Sequence, residues 1–265
     1  MIRIEQPEDP RIAGFLNIRE RDLTGRQGLF VAEGEVVLNV LTSDRSLCRP
    51  VALLLDSKRV EGLAAVLGRV GKETPVYVAD QPVLDSIVGF HLHRGILALG
   101  EKPAARSLEV CLGALGPDAV VAAACGIGNH DNIGGIFRNA AAFGAGAVLL
   151  DGRCCDPFYR KAIRVSVGAV LRTPMVSGLD ALDMVEGLKA AGFEVLALTP
   201  GASEPLDSVR RGGRVAILLG PEGPGLSPAV IDRCRPVGIP MSGGFDSLNV
   251  SVVSGIALNH FTRRA

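Results

Sequence analysis

An α/β protein, built on a parallel sheet with helices on both faces, is the fold class the sequence predicts, and three observations predict it. Short apolar runs alternate along the chain with segments of helical period, the order from which parallel sheets are made. Hydrophobic residues make up 48% and charged residues 21% of the chain, enough to bury a sizeable core and unlike the composition of disordered chains. A length of 265 residues suits two ordinary domains at ~100–200 residues each.

In chain order, Leu29 to Thr42 reads as a helix with its lead-in, Val51 to Leu55 as a buried strand and Val60 to Val70 as a helix. Val76 to Ala79 follows as a strand, Pro82 to Val88 as a helix and Gly95 to Leu99 as a strand, which together make a small α/β unit. Lys102 to Arg106 carries no strong period and reads as linker. The expected domains are therefore 1–102, a linker over 103–116, and 117–265. In the second domain the alternation restarts with strand Ala119–Ala124, helix Ile133–Phe143, strand Ala147–Leu150 and a helix around Tyr159–Val167. Pro174–Val176 is a short strand, Ala181–Ala191 a helix, Glu194–Leu198 and Val215–Leu219 strands, Ala229–Cys234 a helix, and Val250 to Phe261 the final helix.

Composition excludes several functions. Lys+Arg 28 balances Asp+Glu 28, so a general basic coat that grips nucleic acid is ruled out. A local strip is not: Arg153, Arg160, Lys161, Arg164 and Arg172 fall close together against Asp156, and read either as such a strip or as a solvated helix face. Trp is absent and aromatics make only 4%, which argues against rows of bases stacked on aromatic platforms. The cysteines at 48, 111, 125, 154, 155 and 234 form no Cys-x-x-Cys pair and no zinc-type spacing, so a reduced, cytoplasmic setting without a metal is expected. His91, His93, His130 and His260 read as satisfied or exposed histidines. No signal-peptide core and no apolar run near ~20 residues is seen, so no membrane partner is expected.

Three loops of the second half follow predicted strands, where open parallel sheets place their ligands. The first, Gly126 to Ala140, contains Asn132-Ile-Gly-Gly-Ile-Phe-Arg138-Asn139 and opens a helix for which Asp131 or Asn132 is the expected N-cap. Arg138 is either a solvated arginine at the edge of an apolar helix or an anion clamp. The second, Leu219-Gly-Pro-Glu-Gly-Pro-Gly-Leu-Ser, holds glycines that let backbone approach a ligand, with Glu222 its single acid. It matches neither the dinucleotide nor the triphosphate glycine pattern, which argues against a Rossmann-type nucleotide enzyme. The third runs from Ile239-Pro-Met241 through Ser247-Leu-Asn-Val-Ser251 into the last helix, with Ser247 or Asn249 as N-cap.

Taken together and in order, these three loops resemble the motifs of the SpoU-type (TrmH-like) RNA ribose 2′-O-methyltransferases of the SPOUT superfamily. The resemblance spans about residues 117 to 265. Phe30-Val-Ala-Glu-Gly34 and His93-Arg-Gly-Ile96 are similar to the substrate-binding domain, related to ribosomal protein L30e, that many members carry. One departure is Asn139, where the family usually shows Thr.

The resemblance implies a deep trefoil knot in the C-terminal domain, a homodimer with a site completed across its interface, S-adenosylmethionine as cofactor, and ribosomal or transfer RNA as substrate. It implies cofactor contacts from Thr199, Leu219, Gly220, Glu222, Gly223, Ile239, Met241, Leu248 and Asn249. It places Arg138 at the acceptor nucleotide, with Asn132, Glu222, Ser247 and Asn249 as the polar groups around it, and adds Arg160, Lys161 and Arg164 as RNA contacts. A non-catalytic RNA-binding protein of the same fold is the alternative, and it gives no reason to keep Arg138, Glu222, Ser247 and Asn249 together.

Overall fold

The computed structural model describes residues 1–16, 28–88, 94–243 and 245–262; His91, His93 and Gly244 lie outside them. Two compact units result, Met1–Ala104 with Asp156–Arg172, and Ala105–Cys155 with Thr173–Ala265.

In the first unit β1 (Ile2–Arg3), β2 (Leu29–Glu33), β3 (Arg49–Asp56), β4 (Val76–Ala79) and β5 (Ile96–Glu101) form a sheet of order β1-β4-β3-β5-β2. Strands β1, β4 and β3 are parallel and β5 runs against both β3 and β2. Leu29–Glu33 is therefore a strand, where a helix lead-in was expected. Phe30 and Val31 suit a pleated, buried surface, and Gly34 at φ 89 turns the chain before helix α1 (Glu35–Leu41) starts. The helix expected over Val60–Val70 is broken: single turns at Ser57–Arg59 and Glu61–Leu63 precede a four-residue α2 (Ala64–Leu67). Gly62 and Gly68 lie within that stretch and disfavour a continuous helix. Helix α3 (Gln81–Val88) stands where expected.

Residues 156–172 pack in this first unit although sequence order placed them in the second domain. Phe158 meets Phe30 with ring centroids 5.3 Å apart. The Lys102 ammonium lies 4.9 Å from the Phe158 ring and 2.7 Å from Asp156 Oδ2. Helix α6 (Arg160–Val165) buries Ala162 and Ile163, and Leu47 N–H donates to Leu171 O at 2.8 Å. The segment is thus held by aromatic contact, charge and backbone pairing at once.

In the second unit, helix α4 (Leu108–Gly113) occupies part of the stretch expected as linker, capped by Ser107, whose side chain accepts from Val110 N–H. Strands β6 (Val120–Ala124), β7 (Ala147–Asp151), β8 (Met175–Leu179), β9 (Glu194–Leu198), β10 (Val215–Leu219) and β11 (Arg235–Val237) form an all-parallel sheet of order β11-β9-β10-β6-β7-β8. Every residue of β6, β7 and β10 is buried, as continuous apolar runs covered on both faces require. Helix α5 (His130–Phe143) follows β6, α7 (Ala181–Ala190) follows β8, and α8 (Pro228–Ile231) is shorter than the Ala229–Cys234 reading because the chain extends into β11. The last helix, α9 (Val250–Thr262), packs along α5.

Glycine makes that close helix pairing possible. A Cβ on Gly135 would lie 2.5 Å from Ser251 Cβ, and one on Gly255 would lie 3.1 Å from Asn139 Nδ2. Across the same seam Asn139 Nδ2 donates to Ser251 O at 2.6 Å and to Ser254 Oγ at 2.9 Å, and Ser254 is fully buried. The residue that departs from the family pattern therefore makes two interhelical hydrogen bonds.

Candidate active site

The strand order fixes where the site lies. From β6 the chain steps outward through β7 and β8, then resumes on the other side with β9 and β10, so the order reverses between β6 and β10. Loops leaving the carboxyl ends of strands at such a reversal diverge and leave a crevice. Leu219 and Ala124, the last residues of β10 and β6, lie side by side, and the loops that follow carry Glu222 and Asn132.

Those two side chains and Asn249 form a closed polar triangle. Asn132 Nδ2 donates to Glu222 Oε1 at 3.0 Å, and Asn249 Nδ2 donates to Asn132 Oδ1 and to Glu222 Oε1, each at 2.8 Å. Asn132 is 5% exposed, and both ends of its amide are engaged. Asn249 spends its remaining atom on the last helix: Oδ1 accepts from Ser251 N–H at 2.9 Å and Ser251 Oγ–H at 2.6 Å. Asn249, not Ser247, caps that helix, which leaves the Ser247 hydroxyl to the cavity. The cap of α5 is likewise neither Asp131 nor Asn132. Asn129 Oδ1 accepts from Asp131 N–H at 2.8 Å, which frees Asn132 for the triangle one turn further on.

The first loop is anchored from below by a buried carboxylate. Asp151, 3% exposed at the end of β7, accepts from Gly126 N–H at 2.8 Å and Arg153 N–H at 3.1 Å through Oδ1. Its Oδ2 accepts from Arg153 Nε at 3.2 Å. Gly126 adopts φ 65, and a Cβ there would lie 3.5 Å from Pro221. The two motif loops are thus held against each other by backbone geometry before any ligand arrives.

Beside the triangle, a cavity of about 350 Å³ opens beyond the ends of β9, β10 and β11. Thr199, Leu219, Gly220, Glu222, Gly223, Ile239, Met241, Ser247 and Leu248 all line it, so the expected cofactor residues converge, with Asn249 joined to them through Glu222. Sequence reasoning missed Leu198, Pro200, Asp246, Val250 and Val253, which also line it. The signal available for Leu198 and Pro200 was their place at the end of a parallel strand beside β10; Val250 and Val253 are the inward face of the first turn of α9. Gly220 is where backbone sets the wall: a Cβ would lie 2.6 Å from Leu226 N. The loop turns at Gly223 (φ 84) and Gly225 (φ 66), conformations open to glycine. Among the described residues, Glu222 and Asp246 are the only charged ones of the lining.

Arg138 stands apart. It lies six residues beyond Asn132 on α5, about 9 Å along the axis, exposed, and it does not line the cavity. Among the described residues its guanidinium has no hydrogen-bond or ion-pair partner. Arg160, Lys161 and Arg164 belong to the first unit. Arg160 is partly buried, 3.7 Å from Glu33, while Lys161 and Arg164 are exposed. Among the described residues, no cluster of His, Cys, Asp or Glu is placed to hold a metal ion.

A parallel α/β sheet with two motif loops lining one cavity, and the third joined to them through the Asn132–Glu222–Asn249 triangle, defines the class. The SpoU rRNA methylase family model matches residues 119–259, and the chain belongs to this family. It is similar over nearly its whole length to a tRNA/rRNA methyltransferase of Mycobacterium tuberculosis, named as uncharacterized, with 38% identity covering 97% of this chain and 90% of that one. A solved RNA 2′-O ribose methyltransferase aligns with a TM-score of 0.73 and 27% identity over 98% of both chains. An AdoMet-bound rRNA methyltransferase from Sinorhizobium meliloti shares the fold, with a TM-score of 0.79 at 24% identity over 98% of this chain and 96% of that one.

Proposed function

We propose that this chain is an S-adenosylmethionine-dependent RNA methyltransferase acting on a ribose 2′-hydroxyl of ribosomal or transfer RNA. The observation that carries the reading is the cavity at the end of β10, bordered by the Asn132–Glu222–Asn249 triangle. Its donor set fits the cofactor. Leu198, Leu219, Ile239, Met241, Leu248, Val250 and Val253 offer apolar walls to an adenine, and Gly220, Gly223 and Gly225 expose backbone edges to polar groups. Its volume lies in the range of small-molecule sites.

Bound there, S-adenosylmethionine supplies an electrophilic methyl group. Everything else falls to the chain. Residues 219–225 and 239–248 hold the donor in one orientation, and fixing two reactants in line is where much of the acceleration in such a transfer arises. Arg138 takes the phosphate of the target nucleotide in a forked contact, which guanidinium geometry favours. Guanidinium groups keep their protons in proteins, so Arg138 positions the acceptor and the hydroxyl proton leaves to water. Asn132, Glu222, Ser247 and Asn249 supply the polar surface on which the ribose settles, and the ribose hydroxyl itself is what distinguishes RNA from DNA.

The finer features belong to the same proposal. A deep trefoil knot is supported by the path after β11: Gly238 N–H donates to Glu204 O at 2.8 Å, Leu206 N–H donates to Gly238 O at 2.7 Å, and the chain then returns from the sheet edge to pack α9 on α5. A homodimer is supported by Val252 and Ile256, 49% and 38% exposed on α9, and by Arg138, which needs a further surface to reach a substrate. The first unit is the L30e-like substrate-binding domain, with Arg160, Lys161 and Arg164 among its RNA contacts. Six cysteines outside any disulfide support a reduced, cytoplasmic setting.

The test is transfer of labelled methyl from S-adenosylmethionine to total cellular RNA by the purified protein, followed by nucleoside analysis. Label in a 2′-O-methylnucleoside is expected. Cofactor binding without transfer to any RNA fraction would favour a non-catalytic RNA-binding protein.

A further inference from the structure

Among the described residues, two carboxylates and no basic group line the cavity: Glu222 and Asp246 are its only charged residues there. Glu222 holds its Oε1 in the triangle with Asn132 and Asn249, while Oε2 makes no hydrogen bond among the described residues. Asp246, in the loop that leads to the Asn249 cap, has no hydrogen-bond or ion-pair partner among the described residues. No described residue compensates its charge, and apart from Thr199, Glu222 and Ser247 the rest of the lining is apolar side chains and glycine. An uncompensated acidic lining attracts cations and disfavours ligands without net charge, and low-polarity walls strengthen the effect.

We propose that Asp246 is a specificity-determining residue of this cavity, whose carboxylate, together with that of Glu222, selects a sulfonium-bearing adenosyl ligand over the neutral thioether left after its methyl is lost. The inference rests on the cofactor reading above and adds a residue and a direction to it. Methyl transfer moves one carbon from sulfur to the ribose oxygen, releases the hydroxyl proton and leaves the sulfur pair as a lone pair. The ligand's net charge thereby falls from +1 to 0. The acidic wall loses its attraction at that moment, so the spent ligand is held less tightly than the fresh one. Because Asp246 is exposed, its contribution is screened by salt.

The experiment is calorimetric titration of the full-length protein with S-adenosylmethionine, S-adenosylhomocysteine and an analogue carrying an amine in place of the sulfonium methyl. Wild type, Asp246→Asn and Asp246→Glu are compared at low and high salt. Expected for Asp246→Asn is a loss of about fivefold for the two cationic ligands, the size of one ion pair near 4 Å in water. The neutral ligand should lose less than about twofold, Asp246→Glu should restore the preference, and salt should shrink it. Equal losses for all three ligands, or none, would overturn the proposal while leaving the cofactor reading intact. Failure of wild type to bind any of the three would overturn both.

Discussion

Helix α5 carries the two residues on which the site turns, and they are built in opposite ways. Asn132, near its start, is buried and has both ends of its amide committed to Glu222 and Asn249. Arg138, six residues on, is exposed and meets no partner among the described residues. A buried amide with both ends engaged sets geometry in advance and is expensive to disturb; an exposed guanidinium keeps its donors for something that arrives. The first turn of the helix therefore holds shape, and on the reading proposed above the guanidinium further along it is left for the acceptor's phosphate. Mutations at the two ends should separate along that line.

The sharpest break is Arg138→Ala. Methyl transfer to RNA should fall about 10²–10³-fold, the usual loss for a single donor at a reacting centre, while S-adenosylmethionine affinity and the unfolding midpoint stay at wild-type values. Single-turnover assays and calorimetry measure the two sides, and undiminished transfer would remove Arg138 from the acceptor site. Asn249→Ala tests the opposite end. It removes hydrogen bonds to Glu222 and Asn132 and the cap of α9, so a stability loss of about 3 kcal/mol is expected in denaturant titration. Cofactor affinity should fall with it.

Gly220→Ala probes the cavity wall between them. With Leu226 N at 2.6 Å from the new methyl, the loop has to shift, at about 2 kcal/mol, and cofactor binding should weaken more than stability alone explains. Asn139→Ala removes the two interhelical hydrogen bonds to Ser251 and Ser254 and should lower stability by about 1–2 kcal/mol with cofactor binding kept. A separate effect is one of pH. Burial pushes the Cys48, Cys125 and Cys154 thiols up to about 12 from an ordinary value of 9.0. A group whose folded pKa is raised stabilises below its unfolded pKa and loses that contribution as pH climbs toward the folded one. Stability should therefore decline between pH 9 and 12, and a thiol reagent should label these three slowly at neutral pH until the chain unfolds.

Most of the fold was legible because its signal is local. Val76–Ala79, Glu194–Leu198 and Val215–Leu219 are strands at the expected residues, since a parallel strand packed on both faces writes itself as a short apolar run, unbroken in the fully buried Val215–Leu219. Leu29–Glu33 was misread because its pairing with β5 is a long-range fact that a run followed by a helical period hides. Helix α4 was overlooked because its single capping residue, Ser107, follows a stretch without period. In the site, the motif residues around the cavity were legible through the family resemblance, and the glycines through their backbone freedom. Asp246 was not, because an acid in a polar loop looks the same whether it faces water or a ligand. The caps were misassigned for a related reason: Asn129, Asp131 and Asn132 are chemically alike, and only the fold shows which one is spent on the helix and which is left for the site.

The segment 156–172 has a consequence for how the molecule is made. It leaves the ribosome after β6, α5 and β7 of the second unit, yet Phe158, Asp156 and Leu171 complete the first. The first 104 residues emerge with Phe30 still lacking its aromatic neighbour, and they wait through about a third of the second unit's synthesis before it comes. Nor does the chain divide at one cut: a fragment ending at residue 104 loses helix α6, and one starting at residue 105 carries that helix without Phe30, the aromatic partner of Phe158. The two units are woven by chain order, so each is finished only once the other has begun.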